Sequence, residues 1–429
     1  MGAGASRTSE PAPRGSAVDW AAFRARAAAL DAADPLADRR ALFHLPEGVV
    51  YLDGNSLGAL PRSVPGRIAA VVAQEWGDGL IRSWNTHDWI DLPSRVAGKI
   101  ERLVGAEPCS VMVADSTSIN VFKALSAALR LRPGRRVILS DNGNFPTDLY
   151  IAQGLAKLLD DRFTLTVVDP DDVAGAIDED VAVLMLTEVD YRTGRRHDMA
   201  ALTARAHAAG ALTLWDLAHT AGALPVDLAA AGADFAVGCG YKYLNGGPGA
   251  PAFVYVSPRW ADRVEPVLTG WMGHAAPFAF DPDYRPAPGI LRMRAGTPSV
   301  LAMSALDAAL DAFDGVDMRL VAAKSASLGT LFTAAVEASC PGLALVGPRD
   351  PAVRGSQVSF RSPDGLAVMR ALIDRGVIGD FRAPDIIRFG FTPLYLSHAD
   401  VVRAAAVLAE VIGGRLWDDP AYRGKVKVT

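Results

Sequence analysis

The sequence predicts an α/β protein, with a large domain on a mostly parallel sheet and a smaller α+β domain after it. Two observations carry that prediction. Short β-branched apolar runs recur between residues 110 and 256, each apolar on both faces, as in a sheet covered by helices on both sides. Helix-period segments such as INVFKALSAALR and MAALTARAHAAG lie between several of them, and alternating strand and helix favours parallel pairing.

Taken in order, Ala, Gly, Pro and Ser dominate residues 1–17, which predicts a disordered tail. Its opening, MGAGAS, fits the pattern for N-myristoylation, a match that such a composition produces by chance. Residues 18–50 read as two short helices broken near Pro35. The large domain is expected over 51–300, with strands at 110–114, 137–140, 165–169, 181–187, 212–216, 235–239 and 252–256. Gly210 stops the helix that opens at MAALTARAHA. The smaller domain, 301–429, begins with helices at 301–313 and 320–339. Strand-like LALVGP and SQVSFRS follow, then a helix at 366–375, the strand IIRFGF and a last helix at 399–412. In that last helix Val401, Ala405, Leu408 and Ile412 share one face, so one face is buried.

At 429 residues, 50% hydrophobic and 21% charged, the chain is large enough for a buried core without a disulfide or metal staple. A net charge of −5 and no basic run argue against nucleic acid or an anionic membrane as the main partner. Cys109, Cys239 and Cys340 are few and far apart, which suggests a reducing compartment. No apolar stretch reaches membrane-spanning length and no secretory layout opens the chain, so a cytoplasmic location is expected. The 7 histidines are scattered without HExxH or CxxC spacing, and no metal site is expected. GCGYKY lacks the third glycine of a dinucleotide fingerprint, and there is no Walker motif.

The chemistry centres on CGYKYLNGGPG. Lys242 stands just past an apolar strand, where a lysine is either solvated or chemically employed as a Schiff-base amine. Ligands of open α/β sheets collect at the carboxyl ends of strands. Four such ends carry polar groups here: DSTSIN with Thr117 and Ser118, DNGNFPTD with Phe145 and Asp148, LWDLAHTAG with Asp216 and His219, and Lys242 itself. Each has an ordinary reading as a cap, turn or packing residue. Together they match pyridoxal 5'-phosphate (PLP), which needs a lysine, an acidic partner for its ring nitrogen, an anion site and an aromatic neighbour.

YLDGNSLGALP, NFPTDLYIAQG, DLAHTAGALPVDL, GYKYLNGGPGAPAFVYV, GWMGH and RAGTPSV occur in this order, and with them the chain resembles the kynureninase family, in its bacterial form. That family is a branch of the fold-type-I PLP enzymes, within the class V aminotransferase superfamily. The resemblance implies a PLP-dependent hydrolase of tryptophan catabolism that cleaves L-kynurenine between Cβ and Cγ, to anthranilate and L-alanine. It makes Lys242 the cofactor lysine, with Tyr241 and Lys242 as acid–base groups. Asp216 and His219 would meet the pyridine ring and its substituents. Phe145 would stack on the ring, Asp148 would bond near its hydroxyl, Thr117, Ser118 and Tyr241 would bind phosphate, and Thr187 would contact the cofactor. Trp271 and Thr297 would reach it from a neighbouring subunit, which implies a homodimer with shared active sites. Arg388 would pair with the substrate α-carboxylate, while Ser56 and Trp84 would face the substrate. Animal members carry histidine near Trp84 and asparagine at Thr297, so the resemblance favours L-kynurenine over its 3-hydroxy form. His87 offers an alternative register for that histidine. The rival readings are an aminotransferase, a cysteine desulfurase, or a PLP-fold protein that binds without catalysing. The first would share Lys242, Asp216 and Arg388.

Overall fold

The computed structural model describes residues 18–424, so the expected tail at 1–17 lies outside the described residues. A seven-stranded sheet forms the centre of the large unit, in the order Val111–Val113, Phe253–Val256, Phe235–Gly238, Leu212–Asp216, Val181–Thr187, Val137–Asp141 and Thr164–Val168. Phe253–Val256 runs antiparallel to both its neighbours, and all other pairs are parallel. Val111–Val113, antiparallel to that one reversed strand, therefore points the same way as the rest. The carboxyl ends of six strands share one edge.

Val181–Thr187 shows why the sheet is central. All seven of its residues are buried, because a parallel strand covered on both faces by helices has no solvent side. Thr117–Arg130 packs on one face of the sheet, its start capped by the Ser116 hydroxyl, which accepts from Ile119 N–H. Met199–Ala208 stops as expected at Gly210, whose φ of +84° is left-handed.

In the smaller unit Ala344–Val346, Gln357–Arg361, Ile386–Gly390 and Asp380–Arg382 form an antiparallel sheet in that order. Met318–Ser339 packs on His398–Gly413, whose capping box pairs Ser397 with Asp400. The N-terminal segment is built onto this unit. Trp20–Ala32 packs on His398–Gly413, Lys324 Nζ meets Asp34 at 2.6 Å, and His398 Nδ1 lies 2.9 Å from Asp31. Val50–Tyr51 straddles the expected boundary at residue 50 and pairs in parallel with Val377–Ile378. The second of the two expected N-terminal helices is a short 3-10 turn, Ala37–Leu42. Among the described residues no helix is long and apolar enough to cross a membrane.

Candidate active site

Five strands deliver their next residues to one pocket at the shared carboxyl edge. Val111–Val113 leads to Thr117 and Ser118, Val137–Asp141 to Phe145 and Asp148, and Val181–Thr187 ends in Thr187 itself. Leu212–Asp216 supplies Asp216 and His219, and Phe235–Gly238 supplies Tyr241 and Lys242. Thr147, Tyr191 and Ala218 complete the lining. Lys242 is held there by its backbone: Gly58 N–H donates to the Tyr241 carbonyl at 2.8 Å, and a Cβ on Gly58 would lie 2.3 Å from the Lys242 carbonyl oxygen. The glycines of NGGPG serve the turn. Gly247 and Gly249 have φ of +87° and +76°, and Gly246 N–H donates back to the Gly240 carbonyl at 2.8 Å.

Lys242 Nζ stands 3.0 Å from His219 Nε2 and 5.9 Å from the centroids of Phe145 and of Tyr241. Burial, reinforced by the Lys242 cation, pushes the His219 imidazole well below its ordinary range, so it stays neutral and accepts from the lysine. Burial raises the Asp148 carboxyl well above the ordinary carboxylate range, and neighbouring Asp216 pushes it further. Asp216 is itself raised by burial, against the pull of Lys242, and accepts the Ala218 N–H at 2.8 Å. The two carboxyls are hydrogen-bonded partners and so share a proton. Burial also raises the Tyr241 phenol, with Cys239 and Asp216 adding to it, and Tyr241 stays protonated. Thr187 Oγ1 donates to the Val189 carbonyl at 3.2 Å, and Phe145 meets Tyr191 edge-on at 5.2 Å.

Arg388 and Ser56 lie in a second cluster that joins the pocket through Tyr191. Arg388 is fully buried, and its guanidinium grips Asp380 through Nε at 2.8 Å and through Nη2. Its Nη1 donates to the Tyr191 carbonyl. Ser56 Oγ donates to Asp380 at 2.7 Å and accepts from Arg388 at 3.0 Å. Burial, with Asp380 alongside, pushes the Asp53 carboxyl up to about 7. Trp84 and Thr297 come together elsewhere, in an apolar cavity of about 490 Å³ shared with Trp76 and Trp89. Trp271 is on the surface, edge-on to Phe278 at 5.7 Å, and does not line the Lys242 pocket.

Sequence reasoning missed Tyr191, Asp380 and Asp53. The facing of Asp380 and Arg388 depends on the antiparallel register of two strands, which spacing alone does not reveal. Tyr191 lies four residues past Thr187, which the resemblance already placed at the cofactor, and that proximity was the available signal.

The pocket fits PLP on its own chemistry. It offers one amine, a proton-sharing carboxyl pair, an aromatic face and, at the start of Thr117–Arg130, a buried Thr117 hydroxyl with no hydrogen-bond partner among the described residues. Fold and site together define a fold-type-I PLP enzyme. Residues 321–408 match the family model described as kynureninase C-terminal domain. The chain is 60% identical to a kynureninase of Deinococcus radiodurans, covering 90% of this chain and 95% of that one. It is 53% identical to a kynureninase of Pseudomonas fluorescens, over 94% of this chain and 98% of the other. The chain belongs to the kynureninase family, and is a PLP-dependent hydrolase.

Solved cysteine desulfurases share the fold alone. That of Thermococcus onnurineus has a TM-score of 0.74 at 19% identity, covering 88% of this chain and 98% of its own. That of Escherichia coli has 0.73 at 21%, covering 89% and 98%. A desulfurase needs a nucleophilic cysteine that can reach the site. Cys239 and Cys340 are buried, and exposed Cys109 lies at the amino end of Val111–Val113, away from the cofactor edge.

Proposed function

We propose that the Lys242 pocket is where this chain hydrolyses L-kynurenine between Cβ and Cγ, releasing anthranilate and L-alanine. The observation that carries the reading is the Lys242 amine set 3.0 Å from a neutral His219 and beside the proton-sharing Asp148–Asp216 pair. Bound there, PLP supplies an aldehyde that links reversibly to an amine and a protonated ring that takes up an electron pair. Lys242 holds the aldehyde, and its amine is the proton carrier at the substrate α-carbon. Asp216 would pair with the ring nitrogen and keep it protonated, with Asp148 as its carboxyl neighbour. Phe145 would stack on the ring, and Thr187 and His219, which line the same pocket, would be further contacts to it. Thr117 and Ser118, with the opening amides of Thr117–Arg130 and the Tyr241 hydroxyl, hold the phosphate. Tyr241, kept protonated by burial, is the acid that serves the γ-carbonyl and the departing Cβ as one water is consumed.

In this reading Arg388 and Ser56 take the substrate α-carboxylate, which then competes with Asp380 for one guanidinium face. A planar two-pronged donor suits that exchange, and a lysine offers only a point charge. Arg388→Lys is therefore expected to raise KM for L-kynurenine about tenfold or more, with a smaller change in kcat. Steady-state kinetics on anthranilate release measure the split, and an unchanged KM would remove Arg388 from the carboxylate site.

Trp84 and Thr297 form the wall for the substrate's aromatic end, and they favour L-kynurenine over the 3-hydroxy form. Both lie apart from Lys242 in one chain, as does Trp271, so they act on the pocket of a second copy. Exposed Trp76, Leu80, Ile81, Phe278 and Phe280 give such a homodimer an apolar face. Sedimentation at micromolar concentration is expected to give twice the 45.2 kDa chain mass, and a monomer there would refute the shared site. We take residues 51–300 as the cofactor-binding unit and 301–429 as the smaller one, although the helix Val300–Leu310 packs on Ser63–Ala70 and Leu92–Val104 of the former. Three free thiols fit the reducing cytoplasm, which cell fractionation would test.

The deciding experiment follows anthranilate fluorescence and alanine from the PLP-loaded protein, with L-kynurenine and its 3-hydroxy form in parallel. Equal anthranilate and alanine, formed faster than the 3-hydroxy product, are expected. A cyclised transamination product without anthranilate would place the activity among the aminotransferases instead.

A further inference from the structure

Lys123 is a lysine with no exposed side-chain surface, on the helix Thr117–Arg130. Its Nζ donates at 2.6 Å to Asp115 Oδ2 and at 2.6 Å to the Met293 carbonyl. A buried lysine is rare unless its charge is needed, and a methionine would fill the same space. Asp115 is the residue before the helix cap. It is non-glycine with a left-handed φ of +53°, a conformation in which a side chain is disfavoured. Its backbone carbonyl accepts from Ala252 N–H at 2.9 Å, and Asn120 Nδ2 ties the preceding Ala114 carbonyl at 2.9 Å. Every partner of this turn fixes the direction in which Ser116, Thr117 and Ser118 open the helix.

The electrostatics point the same way. Asp115 lines a recess of about 390 Å³ with Ser116, Thr117 and Tyr241, and Thr117 and Tyr241 also line the Lys242 pocket. A phosphate held at Thr117 and Ser118 therefore has a carboxylate in the wall of the adjoining recess. We infer that Lys123 is a positioning residue of the phosphate site: its buried ammonium neutralises Asp115 and locks the left-handed turn from which the phosphate-binding hydroxyls project. Lys123 touches no ligand and acts through Asp115. The inference rests on the assignment of the cofactor phosphate to Thr117 and Ser118.

The test compares two probes that share the aldehyde and ring, PLP and phosphate-free pyridoxal, titrated into the full-length apoprotein and read by ligand absorbance. Lys123→Met is expected to weaken PLP by about tenfold, the change an unpaired carboxylate beside a bound dianion produces, while pyridoxal shifts by less than about threefold. Adding Asp115→Asn to Lys123→Met removes the unmasked carboxylate and is expected to recover the electrostatic part of the lost PLP affinity, leaving the part due to the unlocked turn. Equal losses for both probes, or no loss, would overturn the inference, as would a double variant no better than Lys123→Met. Should Lys123→Met fail to fold, Asp115→Asn alone decides, because it keeps the lysine and an acceptor for it. PLP bound at least as tightly, with pyridoxal unchanged, supports the role, and weaker PLP refutes it. Thr117→Ala separates the two levels. If it leaves the PLP-to-pyridoxal ratio at the native value, the phosphate assignment fails. If it moves the ratio and Lys123→Met does not, only the role of Lys123 fails.

Discussion

Replacing Lys242 by alanine is expected to lower turnover of L-kynurenine roughly 10⁴-fold or more, since one amine both holds the cofactor and carries the α-proton. The loss separates into two parts because the lysine is also a charge. Its cation pulls down the carboxyls of Asp148 and Asp216 and helps keep His219 neutral. Lys242→Arg retains a cation beside those groups but supplies no nucleophile and no usable base, as a guanidinium does not deprotonate near neutral pH. Both variants are expected to be inactive, and only Lys242→Ala is expected to regain some turnover with a small added amine such as methylamine. Anthranilate release with and without the amine measures this. Activity of Lys242→Ala within tenfold of native would end the assignment, and an active Lys242→Arg would mean that charge alone is at work.

The sheet was legible because its strands are written twice over, by β-branched apolar runs and by the helices between them. Val181–Thr187 and Leu212–Asp216 carry polar groups at their last residues, so periodicity and chemistry mark the same boundary. The single reversed strand, Phe253–Val256, has the same buried composition as parallel strands of the sheet such as Val181–Thr187, so composition could not distinguish it. Lys242, Asp216, His219, Phe145 and Asp148 were legible together for a topological reason: parallel strands bring all their carboxyl ends to one edge, however far apart they lie in sequence. The Asp380–Arg388 clasp was not legible, because it depends on antiparallel register in the smaller sheet. Nor was the packing of Trp20–Ala32 on His398–Gly413, which joins segments more than 360 residues apart through Asp31 and His398. Local pattern identifies such faces as apolar without naming their partner.

Asp216→Asn is expected to lower kcat roughly 10³-fold, the middle of the range for losing a positioned proton carrier. Asparagine keeps the shape and one hydrogen bond toward Asp148, so the pocket should fold, but it cannot hold a proton and a balancing negative charge against the ring nitrogen. The same substitution should change how stability of the cofactor-free protein depends on pH, and the signs can be worked through. Asp148 and Asp216 have folded values above the ordinary carboxylate range, chiefly from burial. Their protonated forms thus contribute stability that is complete in acid below the unfolded values and is lost as pH rises through the raised folded ones. His219 acts oppositely, since its folded value lies well below the ordinary 6.5. Its contribution is present above that value and is lost as pH falls toward the folded one. In Asp216→Asn one carboxyl is gone, and Asp148 loses the neighbour whose charge raises it, so the loss of stability with rising pH should shrink while the His219 limb remains. Thermal unfolding across pH, beside kcat, reads both consequences. A native kcat would remove Asp216 from the ring nitrogen. A low kcat with an unchanged pH profile would leave it there but deny that the two carboxyls share a proton, and ring protonation would then need a source other than the pair.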